Sequence, residues 1–241
     1  GVGLYGVNEG SLTFTADEDG GVLDITTDTA DDDNECLVAG KFKPSSGGMW
    51  MEARFKIPNT IAAPAATAGM AVWCGFAETL STTTPLMPSE RATATTTYNA
   101  GGHLGVMLDC DSTLLEFFAV AGDGSARLAG NDKLGAVSGA GGVQLTGAAG
   151  IPGGIIATAD RYYIVRVEID PSGQGRVYFG DQNAALLTNP LQLVLSTTTA
   201  LGSGDTFHAV LMIENRRTGT SAERLEVDYF MGAGGRDWAA N

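Results

Sequence analysis

The chain has 241 residues, and its 44% hydrophobic content is enough for a folded core and excludes general disorder. Its formal net charge of −14 argues against binding to nucleic acid or to an anionic membrane surface, because like charges repel. No apolar run reaches the length of about 18 residues that a membrane-spanning helix needs, so the sequence predicts a globular protein without a membrane span.

Short alternating segments follow one another through the first half of the chain. Residues 1–12 are expected to form an irregular N-terminal arm that carries Tyr5. After this arm, apolar and polar residues alternate with a period of two, which is typical of half-buried β-strands. The clearest example is 49–57, where apolar side chains share one face and charged side chains share the other. Strands are predicted at 12–15, 21–27, 36–42, 49–57, 69–77, 104–109 and 114–121.

The second half of the chain continues this pattern after two long connections. Residues 79–100 are rich in Thr, Pro and Ser and are expected to form a loop. Residues 129–157 are dominated by Gly and Ala, and their low charge predicts a loop that packs on a partner chain. Only 181–187 suggests a helical turn. Further strands are predicted at 162–170, 176–179, 191–195, 206–214 and 223–231.

About ten to fourteen short strands with frequent turn signals indicate a β-sandwich or jelly roll. Six segments refine this prediction by their order along the chain, at 48–57, 72–78, 104–109, 160–170, 175–181 and 225–231. Together they resemble a concanavalin A-like, laminin-G-like jelly roll, and in particular the versions found in tailed-phage capsid decoration (cement) proteins. The resemblance covers roughly 35–231. It implies an all-β, two-sheet antiparallel jelly-roll sandwich with little or no helix, in one domain at 13–231 with a tail at 232–241.

The resemblance implies a structural role rather than an enzymatic one. A protein of this kind is expected on the outer capsid surface of a virion, where it binds the major capsid protein, and copies of itself, and stabilises the shell. No catalytic residue and no cofactor are expected. Contacts with such partners are expected from the loops, the tails and one polar strand face, because aromatic side chains often carry binding energy. The candidate contact residues are Tyr5, Trp50, Leu134, Val143, Ile151 and Trp238.

Two other functions remain open for this fold. A carbohydrate-binding, lectin-like module of a phage fibre or of a secreted protein is the alternative, since Trp50 could stack on a sugar. A glycosidase of the family-16 type is disfavoured, because such enzymes carry Glu-x-Asp-x-Glu, or the same motif with one bulge residue, on one strand. Retaining glycosidases need two carboxyl groups close together. Asp109-Cys-Asp111 comes nearest to the motif, and Glu116 could face it across the hairpin, but the first Glu of the motif is missing and the spacing is wrong.

Calcium is a further possibility that the resemblance raises, since many sandwiches of this kind bind it. Calcium takes six to eight oxygen ligands. The one dense acidic cluster in the sequence is 28–35, in which Asp31, Asp33 and Glu35 are the candidate ligands. Consecutive acids point in different directions along an extended chain, which favours a solvated loop over a metal site.

Overall fold

The computed structural model describes most of the chain with gaps, and its described residues are almost entirely β. Within them the one helical turn is a 3-10 turn at Pro44–Ser46, and no helix is long and apolar enough to cross a membrane. The described residues are 2–7, 10–14, 21–58, 69–80, 87–92, 95–99, 101–112, 117–124, 126–128, 130–132, 137–139, 142–144, 160–181, 191–216 and 222–235.

Nineteen strands run through these residues, and most of them coincide with the alternating segments of the sequence. In chain order they are β1 (Val2–Val7), β2 (Ser11–Phe14), β3 (Leu23–Thr26), β4 (Asn34–Phe42), β5 (Met49–Lys56), β6 (Met70–Ala77), β7 (Ser89–Ala92), β8 (Thr95–Tyr98), β9 (His103–Asp109), β10 (Phe118–Asp123), β11 (Ala126–Arg127), β12 (Gly130–Asp132), β13 (Val137–Gly139), β14 (Gly142–Gln144), β15 (Tyr162–Ile169), β16 (Gly175–Asp181), β17 (Gln192–Thr197), β18 (Phe207–Asn215) and β19 (Arg224–Gly234).

The strands form two large antiparallel sheets and one small hairpin. Sheet 1 has the order β1-β4-β18-β6-β9-β10-β14-β13, with β11 paired to β10. Sheet 2 has the order β12-β17-β16-β15-β5-β19-β3-β2, and β7 pairs only with β8. The two sheets pack face to face, and this arrangement confirms the predicted two-sheet antiparallel jelly-roll sandwich.

The main core lies between the sheets and is built by strict alternation. In β5 the side chains of Met49, Met51, Ala53 and Phe55 are buried, while the residues between them are half-exposed. A cluster of aromatic rings fills the centre of this core, with the rings of Phe117 and Tyr163 centred 4.7 Å apart. The other members of the aromatic cluster are Phe55 and Phe179.

A second apolar cluster lies on the outer side of sheet 1. Every residue of β6 is buried, because its outward side chains pack under another layer of chain. This confirms the strand predicted for the apolar run at 69–77 and shows that both of its faces are covered. The outer cluster includes Trp73, Met87, Met107, Phe118 and Met212.

Three segments differ from the sequence expectations. One is the expected loop at 129–157, whose described residues contain the short strands β12, β13 and β14. The N-terminal segment contains a regular strand, β1, whose residue Tyr5 lies opposite Cys36 of β4. Its glycines hide the alternation, yet β4 offers a free edge that satisfies its backbone groups. The segment 79–100 contains the hairpin β7–β8, which packs on the protein instead of projecting from it.

Truncation of Phe179 to Ala should lower the free energy of unfolding by about 3–5 kcal/mol, because the ring is fully buried in the aromatic cluster and leaves a cavity. Urea denaturation measures this loss. The matched control is Tyr178→Ala, since Tyr178 precedes Phe179 but faces outward and is half-exposed. Equal losses for the two variants would contradict the assignment of Phe179 to the core.

Candidate functional site

The outer face of sheet 1 contains Asp109, which belongs to the nearest match to a family-16-type acid motif and lies in β9. Met107 belongs to the outer cluster, so alternation places His103, Gly105 and Asp109 on the same face. The outward positions of this strand thus contain one carboxylate. Glu116, the proposed partner of Asp109, lies outside the described residues.

The hairpin β7–β8 covers this face through polar anchors. The backbone N–H of Arg91 donates to Asp109 Oδ2 over 2.8 Å, and the Arg91 guanidinium lies 4.3 Å from the centre of the Phe118 ring. His103 Nδ1 donates to the Gly101 carbonyl over 2.8 Å, so a neutral ring accepts at Nε2 from the Ser89 hydroxyl over 2.7 Å. These contacts hold the hairpin against sheet 1.

A group of carboxylates surrounds Arg216 at one end of the covered face. Its guanidinium lies 2.6 Å from Glu214 Oε1 and 3.2 Å from Asp109 Oδ2. Longer contacts of 3.7 Å and 3.5 Å reach Glu90 of the hairpin and Asp32 of the acidic loop. Four carboxyl groups therefore share one guanidinium, and we call them the Arg216 cluster.

Burial controls the protonation of the Arg216 cluster. Burial raises the pKa of Glu214 to about 8; the charge of Arg216 opposes this shift, and repulsion from Glu90, Asp32 and Asp109 adds to it. Burial also raises the pKa of Asp109, against the opposing effect of Arg216. A carboxyl group that keeps its proton near neutral pH can serve as an acid catalyst. However, Glu214 is only 2% exposed, so its proton has no route to a substrate while the hairpin is in place.

The outer face of sheet 2 has a different character, with half-exposed aromatic and charged side chains. The guanidinium of Arg166 lies 4.8 Å from the centre of the Trp50 ring, and that of Arg54 lies 3.9 Å from the centre of the Tyr162 ring. Cations over aromatic faces are attracted to the ring quadrupole and fix the ring orientation. This face therefore presents ordered aromatic rings.

A groove of about 330 Å³ opens beside Trp50, at the end of β5 and β15. Trp50 lies opposite Glu168 in the β5–β15 pair, and Glu168 lies opposite Arg176 in the β15–β16 pair. Gly48 has a φ of +77°, and a Cβ there would lie 3.3 Å from Pro171 Cδ, so glycine lets the two turns approach. We call this the Trp50 groove, lined by Trp50, Glu168, Asp170, Pro171 and Arg176 among others.

The charged groups of the Trp50 groove are fixed to different degrees. Burial alone would raise the pKa of Asp170, but hydrogen bonds from Ser172 and Gln174 lower it, so this carboxylate is ionised at neutral pH. Glu168 accepts from Arg166 Nε over 2.8 Å and from the Tyr178 hydroxyl over 3.3 Å. The Arg176 guanidinium makes no hydrogen bond or ion pair to any described residue. The groove therefore combines an aromatic wall, fixed acceptors and a guanidinium that acts on Asp170 by its charge but donates no hydrogen bond to a described residue.

The residues singled out in the sequence are dispersed in the structure. Trp50 lies in the groove, while Tyr5 and Val143 belong to β1 and β14, whose backbones alone are described. Of the candidate metal ligands, Asp31 is exposed, whereas Asp33 and Glu35 are buried. Three candidate contact residues lie outside the described residues: Leu134, Ile151 and Trp238.

Sequence analysis missed the partners of Trp50. Arg176 showed no signal, because its proximity to Trp50 depends on the register of three strands. Glu168 and Asp170 alternate outward before a Pro-Gly turn, which indicated their exposure but not the aromatic side chain beside them.

No protein-family model matches the chain, and no curated protein matches it either. Several solved structures share its fold. The potassium-bound carbohydrate recognition domain of Emp46p has a TM-score of 0.51 and 10% identity, with 98% of this chain and 89% of that chain covered. A seed lectin of Lotus tetragonolobus has a TM-score of 0.49 and 10% identity, with 96% and 93% covered. An alginate lyase, PA1167 of Pseudomonas aeruginosa, has a TM-score of 0.45 and 13% identity, with 92% and 85% covered.

The structural likeness at these identities concerns the fold alone. The chain has the lectin-type, concanavalin A-like β-sandwich, which is the fold part of the resemblance in the sequence. The part of the resemblance that concerns capsid decoration receives no support from these structures.

The pH dependence of the free energy of unfolding should show that Glu214 is protonated in the folded chain near neutral pH. The folded chain keeps this proton up to about pH 8, whereas the unfolded chain releases it near 4.5, the ordinary pKa of a glutamate. The folded state thus binds more protons between these values, so stability should fall as pH rises through this window, by about 1.4 kcal/mol per pH unit for one proton. Glu214→Gln should flatten this slope in urea denaturation between pH 5.5 and 8.

The matched control for this experiment is Asp123→Asn, because Asp123 is exposed and lies outside the Arg216 cluster. Its slope should equal that of the wild type. An unchanged slope in Glu214→Gln would show that Glu214 is ionised in the folded protein.

Proposed function

We propose that the protein is a carbohydrate-binding module and that the Trp50 groove is its glycan site. One observation carries this proposal: the half-buried indole of Trp50 forms a wall of a groove in which Asp170 and Arg176 present an acceptor and a donor. Ligand sites combine apolar surface with a few well-placed polar groups in this way.

The chemistry of a sugar ring fits these groups. The C–H face of a pyranose is apolar and can pack on the indole, as aromatic side chains favour such contacts. Ring hydroxyls both donate and accept, so they can donate to Asp170 and accept from Arg176. The fixed position of Trp50 under Arg166 reduces the entropy cost of binding.

The charge of the groove indicates which glycans suit it. Glu168 and Asp170 contribute two negative charges, and Arg166 and Arg176 contribute two positive charges nearby. These charges balance locally, although the whole chain is strongly acidic. A neutral glycan therefore suits the groove better than a polyanionic one, which the acidic surface would repel.

The shared fold supports this proposal in a general way, since Emp46p is described as having a carbohydrate recognition domain. Capsid decoration remains a prediction from the sequence resemblance. Three of the contact residues on which it rests, Leu134, Ile151 and Trp238, lie outside the described residues, and the groove provides no argument for it.

Glycan binding can be tested in two stages, first on an array of neutral and acidic glycans and then by calorimetric titration of the best ligand. Trp50→Ala should weaken binding at least tenfold, which corresponds to the loss of one aromatic contact of about 1.4 kcal/mol or more. Arg176→Ala should weaken binding through the lost donor.

The matched control is Tyr162→Ala, because Tyr162 is an aromatic residue under a cation on the same sheet face but outside the groove. This variant should bind as the wild type does. Absence of any glycan binding, or equal losses in Trp50→Ala and Tyr162→Ala, would refute the proposed site.

A further inference from the structure

Two apolar side chains of β19 continue the wall of the Trp50 groove across sheet 2. Ala233 of β19 lies opposite Trp50 of β5. Met231 lies opposite Glu52, two residues farther along the same strand pair. Residues opposite each other in a strand pair, and residues two apart on one strand, share a sheet face. Ala233 and Met231, which we call the β19 strip, therefore lie beside Trp50 on the outer face of sheet 2.

Met231 is one of the few large apolar side chains that the described part of the chain exposes to solvent. It is 42% exposed, and the other two exposed large apolar side chains within that part are Leu12 and Phe14. Those two belong to β2, whereas Met231 lies diagonally across from Trp50, within reach of a ligand that covers the indole. Exposed apolar surface that adjoins a ligand groove adds area on which the ligand can pack.

The charged neighbours of the β19 strip are held by one another. Glu52 Oε1 accepts from the Tyr229 hydroxyl over 2.7 Å, and Glu52 Oε2 lies 3.4 Å from the guanidinium of Arg166. The same guanidinium lies over the Trp50 ring. These contacts fix the indole from one side and leave Met231 as an apolar neighbour of the groove.

The β19 strip lies at an open border of sheet 2. β3 pairs with β19 at Arg224–Val227, and residues 229–234 of β19 pair with β5 alone among the described strands. Residues 231–234 are exposed. A ligand that is longer than the groove can therefore continue from Trp50 across β19 toward solvent.

The Trp50 groove is longer across the strands than one sugar ring. Its lining residues come from β16, β15, β5 and β19, which are neighbours in this order. Three strand spacings of about 4.8 Å each separate Arg176 from Gly234, which gives about 14 Å. A pyranose ring is shorter than this, so a ring on Trp50 leaves room for a second ring beside it.

The polar groups of the groove lie on the side of Trp50 away from the β19 strip. Asp170 accepts three hydrogen bonds from Ser172 and Gln174, all at Oδ1, so its Oδ2 accepts none from a described residue. Arg176 lies in β16, on the far side of β15 from β5. The two sides of the groove therefore suit different parts of a ligand, hydroxyl groups on one side and an apolar ring face on the other.

We propose that the Trp50 groove binds an oligosaccharide of at least two neutral sugar units that lies across the strands of sheet 2. One unit packs on Trp50 and forms hydrogen bonds with Asp170 and Arg176. The next unit packs its apolar face on the β19 strip. The β19 strip thus makes the site selective for oligosaccharides over single sugars, an inference that rests on the proposed glycan function.

The second unit is tested by calorimetric titration of the full chain with the cello-, malto- and manno-oligosaccharide series, each from the monosaccharide to the tetrasaccharide. In at least one series the affinity should rise about tenfold from the monosaccharide to the disaccharide. Met231→Ala should weaken disaccharide binding about three- to eightfold, because the exposed 42% of this side chain is covered in the complex. The same variant should bind the monosaccharide as the wild type does.

Two further variants separate the β19 strip from apolar surface in general. Leu12→Ala is the matched control, because Leu12 is 38% exposed but lies in β2, outside the groove. It should leave the affinity for every sugar unchanged. Met231→Gln keeps the length of the side chain but makes its end polar, so it should show the same loss with the disaccharide alone. An unchanged Tm shows that each variant is folded.

The possible failures of this experiment differ in what they overturn. If no sugar of any length binds the wild type, both the glycan function and the second unit are wrong. If the monosaccharide binds as tightly as the disaccharide and the tetrasaccharide, the glycan function stands and the role of the β19 strip is wrong. That role is also wrong if Met231→Ala weakens monosaccharide and disaccharide binding equally, or if Leu12→Ala causes the same loss.

Discussion

The hairpin β7–β8 lies on the outer face of sheet 1, where its contacts with Asp109, His103 and Phe118 convert a two-layer sandwich into three layers. Because of this cover, Trp73 is completely buried although it points away from the main core. The hairpin also contributes Glu90 to the Arg216 cluster, and repulsion from Glu90 adds to the burial that raises the pKa of Glu214. The outer face of sheet 1 is therefore buried inside the protein. Within the described residues, the half-exposed aromatic side chains Trp50 and Tyr162 lie on the outer face of sheet 2.

The outer faces of the two sheets differ in exposure: that of sheet 1 is buried under the hairpin, and that of sheet 2 is half-exposed to solvent. On sheet 1 Glu214 and Asp109 are buried beside one guanidinium, and burial raises the pKa of both carboxyl groups. On sheet 2 the charges alternate along half-exposed strands, where Arg166 pairs with Glu168 and lies over Trp50. Solvent screens the second set, so it orders side chains at little electrostatic cost.

Alternation in the sequence was sufficient to predict the strands that face one core. The segments at 49–57 and 162–170 have one apolar face each, and the structure places those faces between the sheets. The strand β1 was not predicted, because glycines dilute its pattern and its partner is distant in the chain. The Trp50 groove depends on registers between β5, β15 and β16, which no local pattern encodes.

The positions of the last two strands have a consequence for how the chain reaches its fold. β18 lies between β4 and β6 in sheet 1, and β19 lies between β5 and β3 in sheet 2. Each sheet therefore lacks an inner strand until residues 207–234 have been synthesised. Folding must wait for contacts of very long sequence separation, which slows it. Until then the nascent chain exposes unpaired strand edges, at which other chains can pair and aggregate.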